Sequence, residues 1–376
     1  MQVFGPKELQ SDVLQKNLCI GCGACVSLCP YFKTHKGKTT AMFQCTRESG
    51  RCNAYCPKTG VDLDLLSSSI FNGTYAGDPV GNFKSVYVSE KSSSAGDGNV
   101  QNGGTVSALM KFALKSGAVD SAVLTSRKGA VSIPEIVTDP EKVFSYASSK
   151  YSTSPVVAGF NRAAESGFAK IGFVGTPCAV TAMAKIRSNP TELADFTDKT
   201  GIVIGLFCTW TLDTRGIEKL LKDKLDLDSL QRVDIPPPPA DVMTFTSIHR
   251  DVVLPLDEIR PGIPHGCSYC HDMTAEFADI SVGALELEGH KNKNIIIVRT
   301  ERGEKLLNDA VAAGFIITSD LPAGVMDGLS KASMNKKIRA FTRLSDDKML
   351  NGDTERPAVF INASALENIM KSKGGM

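Results

Sequence analysis

The chain has 376 residues, enough for roughly two to three domains that each bury a hydrophobic core. Its 42 basic and 41 acidic residues give a net charge of +1, which lacks the basic excess typical of nucleic-acid-binding proteins. The N-terminus has no secretory signal pattern, and the apolar runs are shorter than the ~20 residues that span a bilayer. We therefore expect a cytoplasmic protein with no nucleic-acid partner and no transmembrane segment.

Hydrophobic patterning divides the chain into three parts. Residues 1–66 form a cysteine-rich head, for which we predict a small ferredoxin-like iron–sulfur domain. Residues 80–342 alternate short β-branched runs with amphipathic helical stretches, which predicts an α/β body with a mostly parallel or mixed sheet. Within this body, 243–248 and 251–254 are predicted to pair as a hairpin. Residues 343–376 are weakly patterned and are predicted to be a tail or a docking segment.

The head carries a complete cluster-binding motif. Seven of the 11 cysteines lie between Cys19 and Cys56, and in a long chain without an export signal they favour metal binding over disulfides. The first four match C-x2-C-x2-C-x3-C-P, in which three thiolates bind one [4Fe-4S] cluster and the fourth binds a second cluster. A zinc site would favour two CxxC pairs or longer Cys/His spacings. We predict the first cluster on Cys19, Cys22, Cys25 and Cys56.

The second half of the head motif has one ligand too few. After the first cluster is assigned, the remaining thiolates are those of Cys29, Cys45 and Cys52. A fourth ligand could come from Glu48, Ser49 or His35. The alternatives are a three-iron cluster or an empty site, so a second head cluster is left open.

Four further cysteines are scattered through the body. Cys178 and Cys208 each follow a predicted strand, and Cys267 and Cys270 form a CxxC pair in a loop. Taken singly, the first two resemble small buried hydrophobes, and a lone CxxC is shared by zinc, redox and cluster sites. If the two strands are neighbours in a parallel sheet, however, both cysteines emerge at the carboxyl edge, where α/β sheets place ligands. The CxxC pair would then complete a further [4Fe-4S] site.

A glycine-rich turn, Gly103-Gly104-Thr105, opens the first helix of the body. Free N–H groups at such a helix start can bind phosphate, although an ordinary turn would have the same sequence. The chain contains neither a Rossmann G-x-G-x-x-G nor a Walker P-loop.

Together these motifs closely resemble the beta-subunit family of coenzyme F420-reducing hydrogenase and F420-dependent formate dehydrogenase. The resemblance runs from Cys19 to about Lys337 and rests on an ordered series of segments, namely 101–109, 149–152, 172–178, 205–208, 260–262, 267–270 and 274–283. It implies FAD in the body and a [4Fe-4S] cluster on the four scattered cysteines. The chain would exchange hydride with coenzyme F420 and pass single electrons to a catalytic or electron-accepting partner subunit.

The resemblance also implies a set of flavin contacts. The residues placed at FAD are Gln101, Gly103, Gly104, Thr105, Ser149, Lys150, Tyr151, Ser152, Thr153, Gly175, Thr176 and Pro177. Lys150 is the predicted catalytic residue, because its charge suits a flavin that becomes negative on reduction; a solvated surface lysine is the alternative. Asp272 and Glu276 are expected to anchor the CxxC loop.

Three other functions fit the same residues. The flavin and iron–sulfur subunit could serve a heterodisulfide-reductase-like complex with ferredoxin or NAD(P)H in place of F420. The head could instead be a one-electron carrier on an inert body, without flavin. The cysteines could also bind zinc in a scaffold, which would be colourless and free of acid-labile sulfide.

Overall fold

A computed structural model describes residues 2–98, 100–236, 239–287, 289–290 and 292–372 of the chain. The head is built from short elements around cysteine-bearing loops. In chain order these are α1 (Pro6–Leu9), β1 (Phe32–His35), β2 (Lys38–Ala41), α2 (Arg51–Ala54), β3 (Val61–Asp62) and α3 (Leu63–Phe71). Strands β1 and β2 form an antiparallel hairpin.

The body and the C-terminal segment contain the longer elements. The first half comprises β4 (Ser85–Lys91), α4 (Thr105–Lys115), β5 (Ser121–Lys128), β6 (Val131–Val137), α5 (Val156–Glu165), β7 (Ile171–Gly175), α6 (Pro177–Arg187), β8 (Thr200–Leu206) and α7 (Thr214–Leu221). The second half comprises β9 (Leu230–Asp234), β10 (Val242–Ser247), β11 (Asp251–Pro255), α8 (Leu256–Ile259), β12 (Ile280–Ala284), β13 (Asn294–Val298), α9 (Glu301–Ala312), β14 (Ile316–Ser319), α10 (Val325–Asp346), β15 (Val359–Phe360) and α11 (Ala363–Lys371).

One eight-stranded sheet organises the body. Its strand order is β14-β4-β13-β12-β8-β7-β5-β6, and the central pairs β12–β8, β8–β7 and β7–β5 are parallel. The outer pairs are antiparallel. Strands such as β13 are buried along their whole length, as expected where helices cover both faces of a sheet. The mixed sheet confirms the predicted α/β body.

A smaller three-stranded sheet has the order β11-β10-β9. The antiparallel pairing of β10 with β11 confirms the predicted hairpin. Its apolar side packs against α7 and α8 in a core separate from that of the main sheet.

The head packs directly on the body. One continuous apolar core contains residues of the head, of α5 and α6, and of the C-terminal segment. Helix α5 also bonds the cysteine loop: Val157 N donates to Cys22 O at 3.0 Å, and Asn161 Nδ2 donates to Val26 O at 2.7 Å. The cysteine loop is therefore held in a defined position against the body.

The C-terminal segment returns to the head. Helix α10 continues across the predicted boundary between 342 and 343, and β15 pairs with β3 in parallel. Residues 373–376 of the predicted tail lie outside the described residues. Within the described part of the chain, no helix combines the length and apolar character needed to cross a membrane.

Candidate functional site

The sheet topology brings Cys178 and Cys208 to one edge. Strands β7 and β8 are adjacent and parallel, with Val174 opposite Ile204. Cys178 lies in the first turn of α6, directly after β7, and Cys208 follows the end of β8 by two residues. Both thiols therefore lie at the carboxyl edge of the sheet, which is the arrangement that the sequence argument required.

The CxxC pair joins these two thiols. Burial raises the pKa of Cys178 to about 11, and the thiolates of Cys270 and Cys267 add to the rise. Burial also raises the pKa of Cys208, with Cys178 and the CxxC pair contributing, while Lys336 opposes the shift. Such mutual effects require short separations, so these four cysteines form one group, called here the body group.

In the head, four thiols form a first head group. The pKa of Cys22 is raised mainly by burial and next by the neighbouring thiolates of Cys56 and Cys178. The pKa of Cys25 is raised by burial and then by Cys56, and Cys19 also contributes. The structure thus gathers the four cysteines that the motif assigns to one cluster. Cys22 also places this group beside the body group.

The remaining head cysteines form a second head group. Burial raises the pKa of Cys52 to about 11, and the thiolates of Cys29 and Cys45 raise it further. Cys29 and Cys45 are partly exposed. Cys25 is influenced by Cys52, so the second group adjoins the first. The proposed fourth ligands, Glu48, Ser49 and His35, are all exposed, and their roles stay predictions.

The arrangement suits clusters better than single ions. Among the described residues, no three His, Cys, Asp or Glu side chains are close enough to bind one metal ion. Thiolates on a cubane lie farther apart than ligands of a single ion, because each binds a different iron atom. Backbone N–H groups also point at the sulfurs, as from Ala24 to Cys22 and from Thr211 to Cys267.

Buried lysines flank the thiol groups, and sequence reasoning missed them. Lys336 Nζ donates to Cys208 O at 2.6 Å and to Asp272 O at 2.8 Å. Lys185 Nζ donates to Cys56 O at 2.9 Å and to Thr59 O. A signal for Lys185 existed, since it follows Cys178 by seven residues in α6 and so shares its helix face.

Carboxylates support the loop that follows Cys270. Asp272 accepts hydrogen bonds from the backbone N–H groups of Thr274 and Glu276, both at 2.9 Å. Glu276 in turn forms a fully buried ion pair with Lys337. These contacts give both carboxylates the anchoring role that the sequence suggested.

Two of the predicted flavin segments are bonded to each other. Gln101 Oε1 accepts from Ser149 N at 2.9 Å, while its Nε2 donates to Asp234 Oδ1 at 2.7 Å. Gly104 has a φ of +70° at the start of α4, a conformation that favours glycine. The Thr105 hydroxyl bonds that of Ser89 at 2.9 Å and is fully buried, and flavin contact at Thr105 stays a prediction.

Lys150 lies beside a second buried cation. Its Nζ donates to Ser148 Oγ at 2.8 Å, and Arg127 Nη2 donates to Lys150 O at 2.8 Å. Burial lowers the pKa of Lys150 to about 8, and the Arg127 charge contributes to the lowering. Arg127 Nη1 is buried without a hydrogen-bond partner, so the pair leaves a donor that a ligand could use.

The predicted flavin segments have contacts that lead to the body group. Thr153 N donates to Leu212 O at 3.0 Å, and Ser152 forms a bridge with the same residue. Thr211, the preceding residue, bonds the Cys267 sulfur. At the sheet edge, Thr176 Oγ1 and Cys178 Sγ are 3.4 Å apart. Flavin contact at these residues, and at Tyr151, Gly103, Gly175 and Pro177, stays a prediction.

Family models match most of the chain. The model for the coenzyme F420 hydrogenase/dehydrogenase beta subunit N-terminus covers residues 91–160, and that for the C-terminus covers residues 168–323. A 4Fe-4S binding domain model covers residues 13–31, in agreement with the predicted iron–sulfur head.

Several curated proteins are similar to the chain. The coenzyme F420 hydrogenase subunit beta of Methanococcus voltae is 31% identical over 69% of this chain and 93% of that protein. The coenzyme F420 hydrogenase subunit beta of Methanothermobacter thermautotrophicus is 28% identical over 64% of this chain and 86% of that protein. The coenzyme F420-dependent sulfite reductase of Methanocaldococcus jannaschii is 26% identical over 79% of this chain, which spans only 47% of that protein.

A solved structure shares the fold. A chain of the F420-reducing [NiFe] hydrogenase complex from Methanosarcina barkeri aligns with a TM-score of 0.65 at 22% identity, covering 72% of this chain and 94% of that one. At this level of identity, the likeness concerns the fold alone.

Proposed function

Because the chain belongs to the coenzyme F420 hydrogenase/dehydrogenase beta-subunit family, we propose that it is the FAD- and iron–sulfur-containing electron-transfer subunit of a redox complex. It exchanges hydride with coenzyme F420 and passes single electrons through [4Fe-4S] clusters to a partner subunit of the formate dehydrogenase or hydrogenase type. The observation that carries the proposal is the contiguity of the three thiol groups, with Cys22 beside Cys178 and Cys25 beside Cys52.

A mediator is needed because F420 carries electrons in pairs whereas clusters carry them singly. FAD supplies that conversion when it is bound. The Ser149–Thr153 segment would hold it, with Gln101 fixing the neighbouring loop. The segment is also bonded to the loop after Cys208, through Leu212. A flavin site at this segment would adjoin the body group.

Two cations in the segment suit a ring system that becomes negative on reduction. Lys150 would lie beside the flavin, and Arg127 orients it by bonding its backbone carbonyl at 2.8 Å. With a pKa of about 8, the Lys150 side chain is mostly an ammonium at pH 7. The free N–H on Arg127 Nη1 would donate to a carbonyl or phosphate oxygen of the ligand.

The order of the thiol groups suggests the electron path. From the flavin segment it passes to the body group, then to the first head group, and last to the second head group. Cys29 and Cys45 of the last group are partly exposed, so a partner subunit would take electrons there. The second group carries this role only if a fourth ligand or a three-iron cluster completes it.

Purification without oxygen, followed by flavin, iron and sulfide analysis and then titration with reduced coenzyme F420, tests the proposal. We expect stoichiometric FAD that bleaches on addition of the donor, and no bleaching with NADH or NADPH. Iron and sulfide without flavin would favour the simple carrier. A flavin that only ferredoxin or NAD(P)H reduces would favour the heterodisulfide-reductase-like complex.

A further inference from the structure

Three buried lysines surround the body group and the first head group. Lys58, Lys185 and Lys336, called here the lysine triad, are only 8%, 3% and 6% exposed. A buried ammonium is costly unless negative charge lies nearby. The Nζ atoms of Lys185 and Lys336 bond backbone carbonyls rather than carboxylates. Cluster-bound thiolates carry negative charge, so clusters at these two groups would compensate the buried lysines.

Lys336 serves the body group. It reaches from α10 to the backbone carbonyls of Cys208 and Asp272, at 2.6 and 2.8 Å. Lys336 thus places a positive charge at the side of the body group that faces α10.

Lys185 serves the first head group. It projects from α6, which begins at the body group, and donates to the carbonyl of Cys56 at 2.9 Å. Its side-chain nitrogen is therefore held beside the backbone of a ligand of that group. One helix therefore supplies Cys178 to the body group and a cation to the first head group.

Lys58 lies between the two groups. Its backbone N–H bonds the Cys56 sulfur, and its side chain lines a cavity of about 30 Å³ that Cys178 and Cys270 also line. Lys58 therefore lies next to thiols of both groups.

We propose that the lysine triad sets the relative midpoint potentials of two adjacent clusters: Lys336 raises that of the body cluster, Lys185 that of the first head cluster, and Lys58 both. Reduction adds one electron to a cluster, so a fixed positive charge nearby stabilises the reduced form. The inference rests on the proposed function only in requiring clusters at both groups. It makes the three lysines positioning residues that govern the direction of electron flow.

The test is an EPR-monitored redox titration of the full chain with its clusters. Each lysine is changed to Gln, which keeps a hydrogen-bond donor but removes the charge, and separately to Arg, which keeps the charge. Lys331→Gln, at an exposed lysine of the same helix as Lys336, is the matched control. A Cys178→Ser variant identifies the signal of the body cluster, and iron content is measured for every variant.

In the Gln variants we expect the ratio of reduced to oxidised cluster, measured at a fixed potential, to fall about tenfold. This fall corresponds to a midpoint potential that is lower by ~59 mV for one electron. K336Q moves only the body signal, K185Q only the first head signal, and K58Q both, while Arg variants retain wild-type potentials. Unchanged potentials in the Gln variants, or a K58Q variant that moves one signal alone, overturn the proposal.

Iron analysis separates the remaining outcomes. Loss of iron in a Gln variant but not in the matching Arg variant supports the need for positive charge at that position. Loss in both variants assigns the lysine a purely structural role and overturns the proposal for it. A wild-type protein without iron contradicts the proposed function itself, whereas normal clusters with unshifted potentials contradict only this inference.

Discussion

The ion pair between Lys337 and Glu276 offers a stringent test of how the loop after Cys270 is supported. The two side chains are 0% and 2% exposed. Lys337 Nζ also donates to Tyr75 OH at 2.8 Å, and that hydroxyl donates to Glu276 Oε2 at 3.0 Å. A Lys337→Met substitution keeps a side chain of similar length but removes the charge that faces the carboxylate.

The cost depends on whether Glu276 stays ionised. Breaking a buried ion pair with the charge retained costs about 3–5 kcal/mol, whereas weakening a neutral hydrogen bond costs about 1–3 kcal/mol. Burial raises the pKa of Glu276 to about 7 although Lys337 opposes the shift, so removal of Lys337 raises this pKa further. The Lys337→Met variant therefore loses less folding free energy as long as Glu276 stays protonated.

The sign of the pH dependence follows from proton binding. A carboxyl whose pKa is raised on folding contributes stability that is lost as pH rises from its unfolded value to its folded value. In the wild type this loss ends near pH 7, the folded pKa of Glu276. In Lys337→Met the loss of stability continues above pH 7, at up to about 1.4 kcal/mol per pH unit. The destabilisation is thus larger at pH 8 than at pH 6.

Apparent melting temperatures, recorded without oxygen at one scan rate, measure the effect. At about 2 °C per kcal/mol, we expect Lys337→Met to lower the apparent Tm by roughly 2–6 °C at pH 6 and roughly 5–9 °C at pH 8. Lys331→Met should leave it unchanged. A Glu276→Gln/Lys337→Met double variant should recover part of the loss. An equal fall at both pH values, or a double variant no more stable than the single one, would refute the reasoning.

Three further predictions concern the cofactor sites. Cys178→Ser and Cys267→Ser should each remove about one cluster's worth of iron while leaving the head EPR signal, and unchanged iron in both would contradict the shared body group. Gly21→Ala should lose the first head cluster, because Gly21 has a φ of +69° and an added Cβ would lie 1.9 Å from Gly37 O; wild-type iron content would disprove this. Since the pKa of Lys150 is lowered to about 8, FAD affinity should fall above that pH in the wild type but not in Lys150→Arg, as fluorescence titration can check.

Local spacing was enough to predict the parts of the site that lie close together in the chain. The C-x2-C-x2-C-x3-C-P motif sets the first head thiols within one loop, and Cys56 joins them in the structure. For the body group, short apolar runs before Cys178 and Cys208 indicated buried strands. Their adjacency could be proposed because parallel neighbours end at the same sheet edge.

Contacts between distant parts of the chain were beyond such reasoning. Lys336 bonds Cys208 across 128 positions, and Lys185 bonds Cys56 across 129, so the residues around each lysine do not identify its distant partner. Strand β15 has only two residues and is defined by its partner β3. Gly103 is packed against Asn294, where an added Cβ would lie 2.6 Å from Oδ1, and flavin contact at Gly103 stays a prediction.

Rapid mixing of the anaerobic protein with reduced coenzyme F420, in the wild type and in Cys178→Ser, tests the central claim most directly. Absorbance follows the flavin and the clusters separately. The account predicts that the flavin bleaches in both proteins, whereas the head clusters are reduced at the wild-type rate only when Cys178 is present. Head clusters reduced equally fast in Cys178→Ser would contradict a path for single electrons through the body group.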